Sequence, residues 1–313
     1  MEKRNIYVIG VSHSTDGLAS IVKTTLNHIV YAAHNNLIPI VDLKHYKNPY
    51  FKDDREFKDN IWEYFFEQPE GFTLDDIKEE DNIILSENTF CPDKRFTYPV
   101  SVLPTPGNKW ELGDNPLIKE YKKYLKFNKE TLTFLETEYA KKINNQNNIL
   151  GVICRGTDYV SLEPSCHPKQ PTPEEVLEKA KQLKSELGYE KIYLATEDAS
   201  IYKKFLAEFG DTLIPNTQYM YEDIPQKTYL TQVKVDRKNH HYNLAKEYLS
   251  SLYILSKCKY LIGGRASGTL LVYLMTNGFE YENIWSLGYF GVPVKPPQTK
   301  KHFFNFFQKT RGN

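Results

Sequence analysis

The first part of the chain alternates between short apolar runs and longer segments in which apolar residues have helical spacing. Residues 6–10 read Ile-Tyr-Val-Ile-Gly, which predicts a short buried strand that ends at Gly10. Apolar residues recur every three or four positions over 17–35, which predicts a helix, and residues 37–42 form a second strand-like run. A strand, a helix and a strand in this order indicate a parallel βαβ unit.

Weaker patterns follow this unit. They predict a short aromatic helix around Trp62, a strand at 82–85, a loop rich in proline and glycine at 92–113, and one long polar helix at 116–144. The run Asn-Asn-Gln-Asn-Asn at 144–148 then interrupts the pattern, and it is the best candidate for a domain boundary.

Strands and helices alternate again after the asparagine run. The pattern predicts strands at 149–154, 191–195, 211–214 and 260–264, and helices at 173–187, 199–209, 240–257 and 267–276. Such alternation is typical of doubly wound α/β domains, which bind ligands at the carboxyl ends of their strands. We therefore predict an α/β protein of two Rossmann-like domains that face a cleft, at 1–147 and 148–298, with a tail at 299–313.

The composition narrows the possible functions. The length of 313 residues fits two domains, and 40 basic residues cancel 40 acidic ones. No bulk charge would attract nucleic acid, so any phosphate must be bound by a local site. The four cysteines form no Cys-x-x-Cys pair, which argues against a zinc site or a redox dithiol and indicates a reducing compartment. Because the apolar stretch near the N-terminus is too short for a signal peptide, we expect a cytoplasmic protein.

The first candidate site follows the predicted strand at 149–154. There the sequence reads Arg155-Gly156-Thr157-Asp158, which puts a guanidinium at the carboxyl end of a strand. Arginine is planar, always charged and able to bond two oxygens at once, so it suits a diphosphate. An ion pair between Arg155 and Asp158 in a tight turn would explain the same pattern equally well.

A proline-bounded loop just downstream carries Glu163 and His167. A carboxylate at the edge of a cleft can take a proton from a hydroxyl group, and Glu163 is positioned for that role. The alternatives are an exposed loop glutamate and a histidine that serves packing, since most glutamates lie at the surface.

Two further segments follow predicted strands. Thr196-Glu197-Asp198 could contact the ribose or base of a nucleotide, although Asp198 is better explained as the N-cap of the next helix. Small and hydroxyl residues then separate the strand at 260–264 from its helix: Gly263, Gly264, Ser267 and Thr269. They would present backbone N–H groups and a positive helix end to an anion, although the Gly-Lys-Ser/Thr ending of a P-loop is absent.

These segments, in this order and spacing, resemble the α1,6-fucosyltransferase and nodulation-fucosyltransferase group, and more distantly the α1,2- and protein O-fucosyltransferases. The resemblance rests on residues 153–158, on Glu163 with His167-Pro168, on 195–198 and on 255–262 with the small residues that follow. It covers about residues 148–280. The Cys-Arg-Gly-Thr-Asp-Tyr run also resembles proteins of bacterial capsule and lipopolysaccharide clusters, which would make the acceptor a surface glycan.

The resemblance implies a GT-B fold, inversion at the sugar carbon, no metal or other cofactor, and a nucleoside diphosphate sugar donor, usually GDP-fucose. Carried over to this chain, it implies that Arg155 holds the β-phosphate, that Glu163 is the base and that Ser267 bonds phosphate. The domain at 1–147 would bind the glycan acceptor, with residues 10–17 at the cleft edge, and the domain at 148–298 would bind the donor.

Several positions depart from the family pattern. Ile153 replaces the histidine that helps to hold guanine, and Gly156 replaces the second arginine. The aspartate that reads guanine aligns near Ser251, and Glu247, one helical turn away, is a candidate substitute. These losses leave two alternatives open: a transferase with another nucleotide sugar, and a non-catalytic nucleotide- or glycan-binding protein on the same fold.

The aromatic and basic stretch at 302–309 has two interpretations. It could dock on a membrane that carries a lipid-linked acceptor, as a peripheral contact. It is better explained as part of a tail that packs back on the first domain, because aromatic stripes are more often buried.

Overall fold

A computed structural model describes residues 3–10, 15–54, 59–86, 116–156, 162–165, 167–216, 218–223, 225 and 227–291. Thr157, Asp158 and the tail at 299–313, with its possible membrane contact at 302–309, lie outside the described residues, so those predictions stay open. Within the described ranges, no helix combines the length and the apolar character needed to cross a bilayer.

The N-terminal half is built on the predicted βαβ unit. Strand β1 (Asn5–Ile9) leads through helix α1 (Leu18–His34) to β2 (Ile38–Val41), and β3 (Asn82–Leu85) lies on the other side of β1. All strand pairs in this sheet are parallel, with Ile6 beside Ile38 and Ile83. The apolar runs form strands because β1 is covered on both faces, and its residues 6–9 are buried.

The C-terminal half contains the larger described sheet. Its strands are β4 (Ile149–Ile153), β5 (Lys191–Ala195), β6 (Leu213–Ile214), β7 (Tyr260–Gly264) and β8 (Tyr281–Trp285). They are all parallel in the order β6-β5-β4-β7-β8, so the direction of winding reverses between β4 and β7. Open α/β sheets bind ligands at this switch point, and the α/β class predicted from the sequence is confirmed.

The helices of this half follow their sequence signals. They are α5 (Pro173–Leu187), α6 (Ala199–Phe209), α7 (His240–Leu255) and α8 (Ser267–Met275). Thr172 and Glu175 form a reciprocal capping box at the start of α5. The Asp198 carboxylate accepts hydrogen bonds from the backbone N–H groups of Ser200 (2.8 Å) and Ile201 (3.2 Å). Asp198 is therefore an N-cap, as the sequence indicated.

The predicted single helix at 116–144 is wrong. The chain forms α3 (Pro116–Tyr124) and α4 (Lys129–Ile143), and a short helix α2 (Ile61–Phe65) precedes them. The break has two causes. Asn128 caps α4 by accepting a hydrogen bond from the Thr131 N–H at 2.8 Å, and Phe127 leaves the helical path to pair with Phe66, with ring centroids 5.4 Å apart.

Two smaller differences concern strands. The predicted strand at 211–214 is only β6, because the 3₁₀ turn Gly210–Thr212 precedes it. Strand β8 has no counterpart in the prediction, since its alternating polar residues are only partly buried at the sheet edge.

The two sheets share one apolar core. Helix α1 packs on α8, helix α4 packs on α7, and a single buried cluster contains residues of both halves. Tyr7 and Val22 come from the first half, and Leu252 and Leu271 from the second. The division at the asparagine run therefore stays a prediction, and the packing across it fixes how the starts of α1 and α8 lie relative to each other.

The role of Asp198 can be tested by stability. Replacing Asp198 with Ala removes the cap of α6 and is expected to lower the free energy of unfolding by about 1 kcal/mol. Asp198→Asn is the control, because asparagine caps helices equally well. Urea denaturation measures both. If Asp198→Ala is as stable as wild type, the carboxylate is not an important helix cap, and a role in ligand binding becomes the better explanation for Asp198.

Candidate functional site

A cavity of about 170 Å³ opens at the switch point of the second sheet. Its walls come from the segments after β4, β5 and β7, from one face of α7 and, on the opposite side, from the start of α1. Both halves of the chain thus contribute to one cavity. Because it lies at the carboxyl ends of parallel strands, it is the expected position for a ligand in this fold.

Two helices begin at this cavity. Gly17 holds the N-cap position of α1 and Ala266 that of α8, and neither residue has a polar side chain to cap its helix. The first turns of both helices line the cavity, and the Leu18 N–H donates to the Tyr50 hydroxyl at 2.8 Å. A helix start carries partial positive charge, so this pair of starts favours an anion between them, although at α1 the Tyr50 hydroxyl already takes the Leu18 N–H.

Formal charges of both signs line the same cavity. Arg155 follows β4, and Lys23 lies on α1 with only 7% of its surface exposed. Burial lowers the pKa of Lys23 to about 8, although the nearby Asp16 carboxylate acts in the opposite direction. Asp16 and Glu197 supply negative charge on the wall. The formal charges of the two cations and the two carboxylates cancel. The partial positive charge of the two helix starts therefore makes the electrostatic potential in the cavity favourable for an anion.

A smaller cavity of about 40 Å³ adjoins the first and shares Arg155, Glu197 and Tyr248 with it. Its apolar wall includes Ile153 and Leu252, and its polar residues include Thr196 and Gln218. Gln218 accepts a hydrogen bond from the Asn216 amide at 3.0 Å, which orients its carboxamide oxygen toward Asn216. A flat heterocycle would find apolar contact and a few polar groups here.

The structure brings several predicted site residues together. Arg155, His167 and Ser267 line the larger cavity, while Thr196 and Thr269 line the smaller one. The Thr269 hydroxyl donates to the Gly264 carbonyl at 2.7 Å. This bond inside the start of α8 engages the Thr269 hydroxyl, and the role of Thr269 in donor binding stays a prediction.

The loop that carries His167 is held against the cavity from outside. Pro168 forms a bridge with Tyr289, and the Lys169 N–H donates to the Gly288 carbonyl at 2.9 Å. The Phe290 N–H donates to the His167 carbonyl at 3.0 Å. The segment after β8, which the sequence did not identify as important, therefore positions this loop.

Glu163 lies on the same loop but is exposed and is absent from the residues described as lining the cavity. Its backbone has φ of 42°, a left-handed conformation that non-glycine residues rarely adopt. Such strain persists only where the surroundings enforce it, and it is often found at functional loops. The base role of Glu163 is not tested by this arrangement. Asp16 and Glu197 are the carboxylates found on the described wall.

The glycines predicted to approach phosphate are closely packed against neighbouring residues. A Cβ on Gly263 would lie 2.9 Å from the Ile153 carbonyl of the neighbouring strand, and one on Gly264 would overlap the Gln170 side chain. Gln170 in turn donates to the Arg265 carbonyl at 2.7 Å. Close packing of the strand end thus accounts for both glycines, and their contact with phosphate stays a prediction.

Gly10 and Glu247 also lie away from the described cavity walls. Gly10 packs against the Tyr46 ring, and its N–H donates to the Ser86 hydroxyl at 2.9 Å. Glu247 is paired with Arg237 and accepts a hydrogen bond from the Tyr219 N–H at 3.0 Å. Its carboxylate is thus engaged by Arg237 and Tyr219, and the suggested guanine contact stays a prediction.

Sequence reasoning missed Lys23, although a signal was present. A lysine stands inside the apolar stripe of the helix predicted at 17–35, between Val22 and Leu26. Lysines are almost never fully buried unless they are paired, so a lysine at this position in the apolar stripe is unusual. Tyr50 and Tyr248 were also missed, because they reach the cavity only through packing between distant segments.

Similar proteins were found by comparison of structures and not by comparison of sequences. No family model and no curated protein matches the sequence. The chain is similar to fucosyltransferases. Fucosyltransferase NodZ from Bradyrhizobium is 12% identical with a TM-score of 0.49, covering 88% of this chain and 94% of that one. Arabidopsis thaliana FUT1 in complex with GDP is 11% identical with a TM-score of 0.45, and the match covers 90% of this chain and 70% of that one. POFUT1 in complex with GDP-fucose is 11% identical with a TM-score of 0.46, and the match covers 92% of this chain and 99% of that one.

Among these neighbours, NodZ is named a fucosyltransferase, as is the group that the sequence motifs resemble. Identities this low and TM-scores below 0.5 assign neither an activity nor a site to this chain. Among the described residues, no group of three or more histidine, cysteine, aspartate or glutamate side chains is arranged to hold a metal ion.

The packing role of Gly264 gives a second prediction. Gly264→Ala forces a methyl group into the space of Gln170 and is expected to lower the free energy of unfolding by about 1–3 kcal/mol. The control is the same substitution in a Gln170→Ala background, where most of the contact that the new methyl group would meet is removed and a smaller loss is expected. Thermal and urea unfolding measure both variants. Equal stability of Gly264→Ala and wild type would show that the position tolerates a side chain and needs glycine for another reason.

Proposed function

We propose that this chain is an inverting glycosyltransferase that transfers a sugar, with GDP-fucose as the best candidate donor, to a hydroxyl group of a surface glycan. The observation that carries the proposal is the convergence of Arg155 and the starts of α1 and α8 on one cavity at the switch point of the second sheet. This combination suits a diphosphate, which needs positive charge and N–H donors from more than one side.

In the proposed reaction, an acceptor oxygen attacks the anomeric carbon while the bond from that carbon to the diphosphate breaks. Negative charge develops on the leaving diphosphate, and Arg155 with the two helix starts stabilises it without reorganisation. The acceptor hydroxyl loses its proton to a carboxylate, and the sugar carbon inverts because attack and departure take place on opposite faces.

Glu163 is the proposed base. The motif that it shares with the fucosyltransferase group supports this role, as does its place on the loop whose residues His167 and Pro168 line the cavity. Its exposure does not exclude the role, because catalytic contacts often form only when substrate is bound. Glu197, on the wall between the two cavities, is proposed to contact the nucleoside instead.

The residues near the smaller cavity offer little that would select guanine over another nucleobase. Ser251, which aligns with the guanine-reading aspartate, is buried and hydrogen-bonded to the Tyr193 hydroxyl at 2.8 Å. Ile153 offers only apolar contact. These observations favour a second candidate function on the same site, a transferase that uses a different nucleoside diphosphate sugar. A third candidate is a non-catalytic binding protein, and the exposed position of Glu163 is the observation in its favour.

Removing Arg155 tests the donor site. Wild-type protein is expected to show a higher melting temperature with GDP or GDP-fucose, and Arg155→Ala is expected to bind at least about tenfold more weakly. Arg155→Lys keeps the charge but loses the two-pronged geometry, so an intermediate affinity is expected. The exposed Lys203→Ala serves as control. If UDP, CMP or dTDP stabilises wild type and GDP does not, the donor carries a different nucleobase and the proposed transferase reaction still stands.

The base assignment is tested by comparing two isosteric variants. Glu163→Gln is expected to lower kcat by about 10²–10⁴-fold while donor affinity is unchanged, because only proton transfer is lost. Glu197→Gln is expected to raise the KM for the donor instead. Steady-state kinetics with GDP-fucose and a glycan acceptor separate the two effects. Full activity of Glu163→Gln would remove Glu163 from the mechanism.

A further inference from the structure

Lys23 occupies a position that the fold alone does not require. It follows Ile21 and Val22 on the buried face of α1, and its side chain is 7% exposed. A surface lysine would keep its ammonium group in bulk water, whereas this one lines the cavity that also contains Arg155. A lysine on the wall of such a cavity can pair with an anion that enters it, so Lys23 is a candidate for binding a ligand phosphate together with Arg155.

Several titratable groups from different elements line the cavity with Lys23. Asp16 precedes α1, Arg155 follows β4 and Glu197 follows β5. His167 lies on the loop before α5, and Tyr50 and Tyr248 complete the set. Among these, Asp16 is the group that favours the charged form of Lys23, yet burial outweighs it and lowers the pKa of Lys23 to about 8. Lys23 thus changes charge close to neutral pH, unlike an ordinary lysine.

A diphosphate in this cavity would change that balance. Its negative charge would lie in the same small space as the Lys23 amine, and an opposite charge at short range favours the ammonium form. Ligand binding would then raise the pKa of Lys23 again. By linkage, a group whose pKa rises on binding takes up a proton whenever it was neutral beforehand.

We propose that Lys23 is a second phosphate-binding cation, and that above neutral pH the nucleoside diphosphate donor binds together with one proton, which Lys23 takes up. The inference rests on the proposed donor site and adds to it a residue of α1 and a pH-dependent affinity. It also gives the N-terminal half a direct part in binding the donor, next to its proposed role with the acceptor.

The sign of the pH dependence follows from the two protonation states. Below about pH 8 most Lys23 is already charged, so the diphosphate binds with full affinity. Above that pH the free protein is mostly neutral at this position, and part of the binding free energy is spent on protonation. The dissociation constant for GDP is therefore expected to rise about tenfold between about pH 7 and pH 9.

Calorimetry on the unmodified protein tests the proton directly. GDP and inorganic pyrophosphate are titrated into wild type at about pH 7 and pH 9, in buffers with different enthalpies of ionisation. Uptake of nearly one proton per bound ligand is expected at the higher pH, and close to none at the lower. Binding of GDP at the higher pH without any proton uptake would overturn the inference.

Variants of Lys23 identify the group that takes up the proton. Lys23→Arg stays charged throughout, so its affinity for GDP should not vary over this range. Lys23→Met should bind about tenfold more weakly at about pH 7, also without variation. The matched control is Lys122→Met, since burial also lowers the pKa of Lys122 but this residue bonds the Thr276 carbonyl and is not among the residues lining the cavity. It should keep the wild-type profile. A wild-type pH profile in Lys23→Arg would assign the proton to another group.

The two proposals fail in different ways. If folded wild type binds neither GDP nor pyrophosphate at any pH, the donor site and the role of Lys23 both fall. If GDP binds and Arg155→Ala abolishes binding, yet Lys23→Met binds like wild type, the donor site stands and the role of Lys23 alone is wrong.

Discussion

The reversal of winding between β4 and β7 is the constraint on which the rest of the site depends. Neighbouring parallel strands whose connections leave to opposite faces create a crevice that no connection covers. Arg155 stands at the end of one of these strands and the start of α8 at the end of the other. Strands β4 and β7 approach each other closely where they end at the crevice. Gly263 permits this approach, because any side chain there would collide with the Ile153 carbonyl.

The crevice becomes a cavity only because the first half of the chain closes it. Packing of α1 on α8 and of α4 on α7 joins the halves through apolar contact, which is strong but not directional. Polar contacts then fix the alignment. The Asp53 N–H donates to the Asn239 side chain at 2.9 Å, and the Asp53 carboxylate accepts from the Asn239 N–H at the start of α7. These bonds join the segment after β2 to the start of α7, one of the helices that line the cavity.

Local signals in the sequence predicted most of the fold, and long-range packing accounts for what they missed. Buried strands such as β4 and capped helices such as α5 are determined by runs of neighbouring residues. The break before α4 has a local signal in its cap, Asn128, but it also depends on the contact of Phe127 with Phe66, more than fifty residues earlier, which no short window of the sequence reveals. The site divides in the same way. Arg155 was predicted because it ends a strand, whereas Lys23 and Tyr50 face the cavity only after both halves have packed together.

The charge distribution explains how such a site can select a diphosphate in a protein with no net charge. The whole chain is formally neutral, so it offers no long-range field to attract an anion from solution. In the cavity, Arg155 and Lys23 are offset by Asp16 and Glu197, which limits the cost of keeping four ionisable groups close together. Positive potential then comes mainly from the helix starts, whose influence falls off within one turn and is screened beyond about 8–10 Å. On this arrangement the proposed diphosphate would be recognised by contact after it enters, and the two carboxylates would be available to bond hydroxyl groups of the sugar or ribose that it carries.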